Sequence, residues 1–207
     1  MIKDELRVVG IVGSLRPGSY TRQAVKIALQ GASEKGATIR LIDLRDYELP
    51  FCDGEHDQVA RYPDAVRLQQ DVAAAQGIIL GTPDYHGSFS GVLKNALDLM
   101  GFDEFGGKVV GLVGVSGGAM GTVNALNDLR KVGRSLHAWV VPQQAAVPQA
   151  STHFDANGSL DNPDYETRLK EVGRQVARFS YLISSRETIR FLELWEQAIP
   201  NPGAEDR

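Results

Sequence analysis

The chain has 207 residues, 43% of them apolar and 23% charged, which is enough to bury a core without disulfides or a metal. Its 22 basic and 26 acidic residues leave a net charge of −4, which argues against a nucleic-acid binder with a concentrated basic face. The single cysteine, Cys52, excludes an internal disulfide; with no charged-then-apolar leader and no apolar run near the ~20 residues that span a bilayer, cytoplasmic residence away from membranes is the expectation.

Short apolar runs alternate with helical patterns along most of the chain. Residues 7–12 are the first run and read as a strand. It leads into Gly13-Ser14-Leu15-Arg16-Pro17-Gly18-Ser19-Tyr20-Thr21, after which Ala24, Val25, Ala28, Leu29 and Ala32 share one helical face. A loop between a strand and a helix is where an α/β protein holds a phosphate. This one offers backbone N–H groups, the hydroxyls of Ser14, Ser19 and Thr21, and the Arg16 cation. The helix start adds unpaired N–H groups and the positive end of its dipole. The stretch is neither G-x-G-x-x-G nor G-x-x-x-x-G-K-[ST], so the dinucleotide and nucleoside-triphosphate fingerprints are absent. It suits a terminal monophosphate, and FMN is the common cofactor that ends in one.

A second strand is expected at residues 38–42, followed by a long surface loop over 43–60. Ala65, Leu68, Val72 and Ala75 then mark a helix, and residues 77–82 a buried strand. The loop from Thr82 to Gly91 precedes a helix over 92–100. Residues 108–115 are almost wholly apolar without alternation, as in a central parallel strand covered on both faces. Ala125, Leu129 and Val132 mark the next helix, and residues 138–141 a fifth strand, which Pro142 is expected to stop. Residues 143–162 read as an extended connection. Leu169, Val172, Val176, Phe179 and Ile183 form the stripe of a helix from about Asp164 that covers the sheet.

This alternation predicts right-handed βαβ units and a flavodoxin-like, doubly wound, five-stranded parallel sheet of order 2-1-3-4-5 with helices on both faces. Ligands in such sheets bind beyond the carboxyl ends of the strands, so the loops starting at Gly13, Pro83 and Ser116 should meet. Residues 1–185 would be this domain. Residues 186–199 would add a helix carrying Ile189, Leu192, Trp195 and Ile199, packed on the domain or in a subunit interface. Pro200 would end it, with 200–207 disordered.

Three motifs stand in order on these elements: G-S-L-R-x-G-S from Gly13, T-P-D-Y-H-G-S-x-S-G-x-L-K-N-A-L-D from Thr82, and V-S-G-G from Val115. Together they resemble the NADPH-dependent FMN reductase family of flavodoxin-like quinone, azo and metal-oxyanion reductases, over roughly residues 6–145. The resemblance implies that Ser14, Arg16, Ser19, Tyr20 and Thr21 hold the FMN phosphate. Pro83, Asp84, Tyr85, His86 and Gly87 would run along the isoalloxazine and ribityl chain, and Ser116, Gly117 and Gly118 would close the other side. Asp84, His86 and Thr21 stand where Glu, Asn and Asn are more usual in the family.

On this reading NADPH, or NADH, delivers hydride to the flavin N5, and a small acceptor then takes it. No protein nucleophile and no metal is needed: His56, His86, His137 and His153 fall on separate elements. His86 reads as a loop histidine beside the ring. The resemblance also implies a homodimer or homotetramer with the flavin near a subunit interface. The rival readings are a flavodoxin-type one-electron carrier, a binding module for another monophosphate, and a reductase that releases reduced flavin.

Overall fold

The first apolar run is strand β1 (Arg7–Val12) in a computed structural model that describes residues 5–55 and 57–198. Helix α1 (Tyr20–Ser33) follows, then β2 (Thr38–Asp43) and α2 (Pro63–Ala73), which begins on a proline whose missing N–H costs nothing there. β3 (Gly77–Tyr85) turns into the short β4 (Ser88–Phe89) before α3 (Gly91–Asp98) and α4 (Phe102–Phe105). Next come β5 (Val109–Val115), α5 (Val123–Ser135), β6 (Trp139–Val147) and α6 (Ala150–His153). The chain closes with α7 (Pro163–Ser184) and α8 (Arg186–Glu196).

Five strands are parallel in the order β2-β1-β3-β5-β6, which is the expected 2-1-3-4-5 once β4 is set aside. β4 adds a short antiparallel pairing to β3 that sequence patterning had placed in a loop. Helices cover both faces. Val25, Leu29, Val172 and Val176 of α1 and α7 pack against Val8, Val12, Ile79 and Val113. Leu68, Leu93, Leu97 and Leu129 pack on the opposite face against Val9, Ile11, Leu80 and Leu112. β5 lies between the layers and is buried along its whole length.

Two expectations need correction. Pro142 does not stop the last strand: β6 continues to Val147. The pairing jumps from Val110↔Val140 to Leu112↔Gln144, so residues 141–143 oppose Gly111 alone. Pro142 sits in that bulge of an edge strand, where no ladder N–H is required. The stripe of α7 also departs from its expected course, since Phe179 and Ile183 are 40% and 42% exposed. The buried face runs instead through Gly173, Ala177 and Ser180. Ser180 Oγ donates to the Gln76 carbonyl at 3.1 Å, and a Cβ on Gly77 would stand 2.6 Å from that hydroxyl oxygen. The helix therefore approaches the sheet too closely there for an aromatic ring.

α8 follows a kink at Ser185, whose hydroxyl accepts the Thr188 N–H. None of its residues is buried, and Phe191, Leu194 and Trp195 are at least 60% exposed. Ile199, Pro200 and the tail to Arg207 lie outside the described residues, as does His56. No helix among the described residues is long and apolar enough to cross a membrane.

Lys108, just before β5, donates from Nζ to the carbonyls of Val72 and Ala73 at the end of α2. Burial pushes its pKa down to about 8, against the opposing pull of Glu104. Between that value and the ordinary 10.5, the unfolded chain holds a proton that the folded chain has released. The unfolding free energy therefore rises with pH across this window. Relative to Lys108→Met, the native protein should gain about 1–2 kcal/mol between pH 8 and 10 in urea denaturation, after allowance for partial exposure. A difference that stays flat with pH would contradict this.

Candidate active site

The carboxyl ends of β1, β3, β5 and β6 open on one cavity of about 460 Å³. The β1–α1 loop contributes Ser14, Arg16, Ser19, Tyr20 and Thr21 to its wall, β3 contributes Pro83, Asp84 and Tyr85, and the loop after β5 contributes Ser116 and Gly117. Pro17, Gly18, Val115, Ala150 and Ser151 complete the wall. His86, Gly87 and Gly118 lie outside it.

Local chemistry shapes the first loop. Ser19 is the N-cap of α1: its Oγ accepts the Arg22 N–H at 3.3 Å. Ser14 Oγ accepts the Arg16 N–H at 3.4 Å. Gly18 takes φ +65°, a conformation that side-chain-bearing residues rarely adopt. The N–H groups of Tyr20 and Thr21 fall in the first helical turn, where no intrahelical carbonyl is available. The hydroxyl-bearing Ser14, Ser19 and Thr21 are all buried.

A buried serine fastens this loop to the rest. Ser90 Oγ donates to the Gly13 carbonyl at 2.6 Å and accepts the Leu93 N–H at 3.2 Å, so it caps α3 and holds β1's exit together. Its own N–H donates to Thr82 Oγ1. Gly13 must lack a side chain, since a Cβ there would sit 2.7 Å from Leu93 Cβ.

Among the described residues, Arg16 is the only Arg or Lys in the cavity wall. Arg22, in the first turn of α1, is diverted: its Nε donates to Asp43 Oδ2 at 2.8 Å, and Arg45 binds the same carboxylate. Burial would raise the Asp43 pKa, but the hydrogen bonds from Arg45 and Arg22 outweigh it and hold the carboxyl below its ordinary range. Asp43 thereby ties the end of β2 to the first turn of α1. No motif in the sequence marks this trio.

His86 and Gly87 form the two-residue turn between β3 and β4, with φ values of 56° and 81°. Such doubly positive turns match the twist of a hairpin. Asp84 Oδ1 accepts the Gly87 N–H at 2.9 Å and fixes the turn. Across the cavity, Ser116 N–H donates to Val147 and Ala150 N–H to Ser116. The Gly118 carbonyl accepts from Ser116 Oγ and from the Gln149 N–H. The loop after β5 is thus stitched to the start of α6, and this brings Ala150 and Ser151 to the site.

Behind this loop, Thr122 Oγ1 is fully buried and has no hydrogen-bond partner among the described residues. Exchange for the isosteric Thr122→Val removes an unpaid desolvation cost. The variant should be about 1 kcal/mol more stable in a thermal melt, and a less stable variant would contradict the assignment.

FMN fits the donor set present. One guanidinium, three buried hydroxyls and a helix start can bind a monophosphate. Gly117 and Gly118 leave open space where a Cβ would stand. The cavity volume lies within the usual range of cofactor sites, ~300–1,000 Å³. Among the described residues no cluster of three His, Cys, Asp or Glu could hold a metal ion.

The family model for NADPH-dependent FMN reductase matches residues 6–152. An FMN-dependent NADPH-azoreductase from Staphylococcus haemolyticus is 34% identical over 174 residues, covering 82% of this chain and 92% of that protein. The NADPH-dependent FMN reductase ArsH from Shigella flexneri is 30% identical, covering 86% of this chain and 70% of that protein. Among solved structures, the flavoenzyme NAD(P)H:(acceptor) oxidoreductase FerB from Paracoccus denitrificans superposes with a TM-score of 0.71 over 86% of this chain and 98% of that one, at 23% identity, and so shares the fold. An archaeal flavodoxin is more distant, with a TM-score of 0.59 and 12% identity over 84% of this chain and 99% of its own, and because the family model and the curated relatives are reductases, a flavodoxin-type carrier is not favoured. With the fold, the cavity and the matched span in agreement, the chain belongs to the NADPH-dependent FMN reductase family, oxidoreductases whose cofactors are FMN and NADPH.

Proposed function

We propose that the protein passes reducing equivalents from NADPH, or NADH, through FMN in the loop cavity to a small acceptor: a quinone, an azo compound, a metal oxyanion or free flavin. The observation that carries this reading is the convergence of a hydroxyl-rich, singly cationic loop and two further strand-end loops on one cavity. Ser14, Arg16, Ser19, Tyr20 and Thr21 would hold the phosphate. Pro83, Asp84 and Tyr85 would flank the ribityl chain and ring, with His86 and Gly87 at the hairpin tip beside them. Ser116, Gly117 and Gly118 would border the opposite side, where backbone can come close to a planar group.

Bound FMN supplies hydride acceptance and donation at its N5. The chain's own part is to bind, orient and exclude water, and no side chain serves as a nucleophile. The names of the staphylococcal relatives support an azo acceptor. The protein works in the cytoplasm as a homodimer or homotetramer, and the exposed Phe191, Leu194 and Trp195 of α8 are covered by another copy. Initial rates at varied NADPH and a quinone or azo acceptor should give parallel double-reciprocal lines, because donor and acceptor take turns over the ring. Intersecting lines would contradict the shared site.

A further inference from the structure

The far end of the sheet carries a second concave surface. A groove of about 910 Å³ lies where α5 ends and β6 begins, and its wall includes Arg130, Lys131, Arg134, His137 and Trp139. Among the described residues no carboxylate lines it, in a chain whose net charge is −4. The groove is remote from the cofactor cavity. Trp139 pairs with Val109 at the start of β5, while the cavity begins at Val115, and six strand residues span about 20 Å.

Three features mark the wall. Arg134 makes no side-chain hydrogen bond or ion pair among the described residues, whereas Arg130 is pinned to the Val141 carbonyl and Gln144 Oε1, and Lys131 to Asp128. Trp139 leaves 66% of its surface exposed on the edge strand. His137 holds φ +60° in the turn after α5, and its ring stacks on Phe102 at 4.5 Å. A glycine would meet that backbone demand without strain. Placement near the carboxyl end of α5 accounts for the Arg134 charge through the helix dipole. It does not account for the exposed indole.

We propose that this groove is a second ligand site, for a nucleoside bearing a terminal phosphate. The base stacks on the Trp139 indole, and the phosphate takes the Arg134 guanidinium with the Arg130 charge beside it. Bare phosphate would leave the indole in water, and a neutral aromatic would leave Arg134 unpaired; a nucleotide uses both. The nicotinamide that serves the flavin cannot lie here, given the separation, so this ligand is additional to the hydride donor.

The test is isothermal titration of the FMN-loaded protein with AMP, and in separate arms with inorganic phosphate and with adenosine. AMP should bind once per chain, with the other two at least about tenfold weaker. Arg134→Glu and Trp139→Ala, both at exposed positions, should each weaken AMP at least about tenfold. The same charge change at the exposed Arg168 should leave affinity within about twofold. FMN content and NADPH turnover should not move in any variant. Absence of AMP binding at millimolar concentration overturns the proposal, as does AMP binding that both groove variants leave intact. Phosphate binding as tight as AMP reduces the groove to an anion site and overturns the nucleoside assignment. A Trp139→Ala protein that changes its assembly mass while AMP fails to bind gives the patch to a second copy, and overturns it too.

Discussion

Arg16→Glu should weaken FMN binding by at least about a hundredfold. Among the described residues, Arg16 is the one lysine or arginine in the cavity wall, and Arg22 cannot substitute because Asp43 holds it. A charge-assisted hydrogen bond to phosphate contributes about 1.5–3 kcal/mol, and the reversed charge adds repulsion. The neutral Arg16→Ala should lose roughly ten- to a hundredfold on the same scale. Riboflavin lacks the phosphate, so it should bind both variants and the native protein alike. Flavin fluorescence quenching reads each affinity. If Arg16→Glu retains native FMN affinity, the phosphate is held elsewhere.

Gly173→Ala should be strongly destabilising. A Cβ at Gly173 would run into the Ala28 carbonyl oxygen and stand 2.8 Å from the Ala32 nitrogen. Gly31 on α1 faces the Lys170 backbone of α7 in the same way. Both obstacles are main chain, which cannot rotate aside, so α1 and α7 must part. Separation would loosen Val172 and Val176 from the sheet and shift the start of α1, where Ser19 caps the helix. A loss of about 3 kcal/mol or more is expected, equivalent to roughly 10 °C in Tm for a chain of this size. Gly91→Ala is the control, because a Cβ there meets nothing within 4 Å. Calorimetric melting of the two variants checks the contrast. A Gly173→Ala protein that melts within about 2 °C of native would refute the close helix crossing.

Much of this architecture was legible in the chain. Residues 7–12, 77–82 and 108–115 are apolar without alternation because both faces of the central strands are covered, and burial on two sides leaves a strong pattern. The β1–α1 loop was legible as a helix start because Ser19 is of the residue type that caps a helix, and it does cap α1. The edge of the sheet was less so. Pro142 reads as a stop, and only the bulge opposite Gly111 lets β6 pass it. Ending the strand there also hid Ala150 and Ser151, which follow its true carboxyl end and line the cavity. In α7, spacings of three and four fit both Phe179 and Ser180, and the choice between them comes from the close approach to Gly77, a tertiary fact. The Arg22–Asp43–Arg45 trio joins residues whose meeting depends on β2 lying beside β1. The place of His86 is likewise set by the β3–β4 hairpin, which puts it in a turn outside the cavity wall.

The measurement that bears most directly on the central claim is an anaerobic NADPH titration of the FMN-loaded protein, followed at the oxidised-flavin absorbance near ~450 nm. One equivalent of NADPH per bound FMN is predicted to abolish that absorbance in a single step, and a quinone or azo acceptor added afterwards should restore it. Absorbance that persists in excess NADPH while FMN stays bound would contradict hydride transfer at this site.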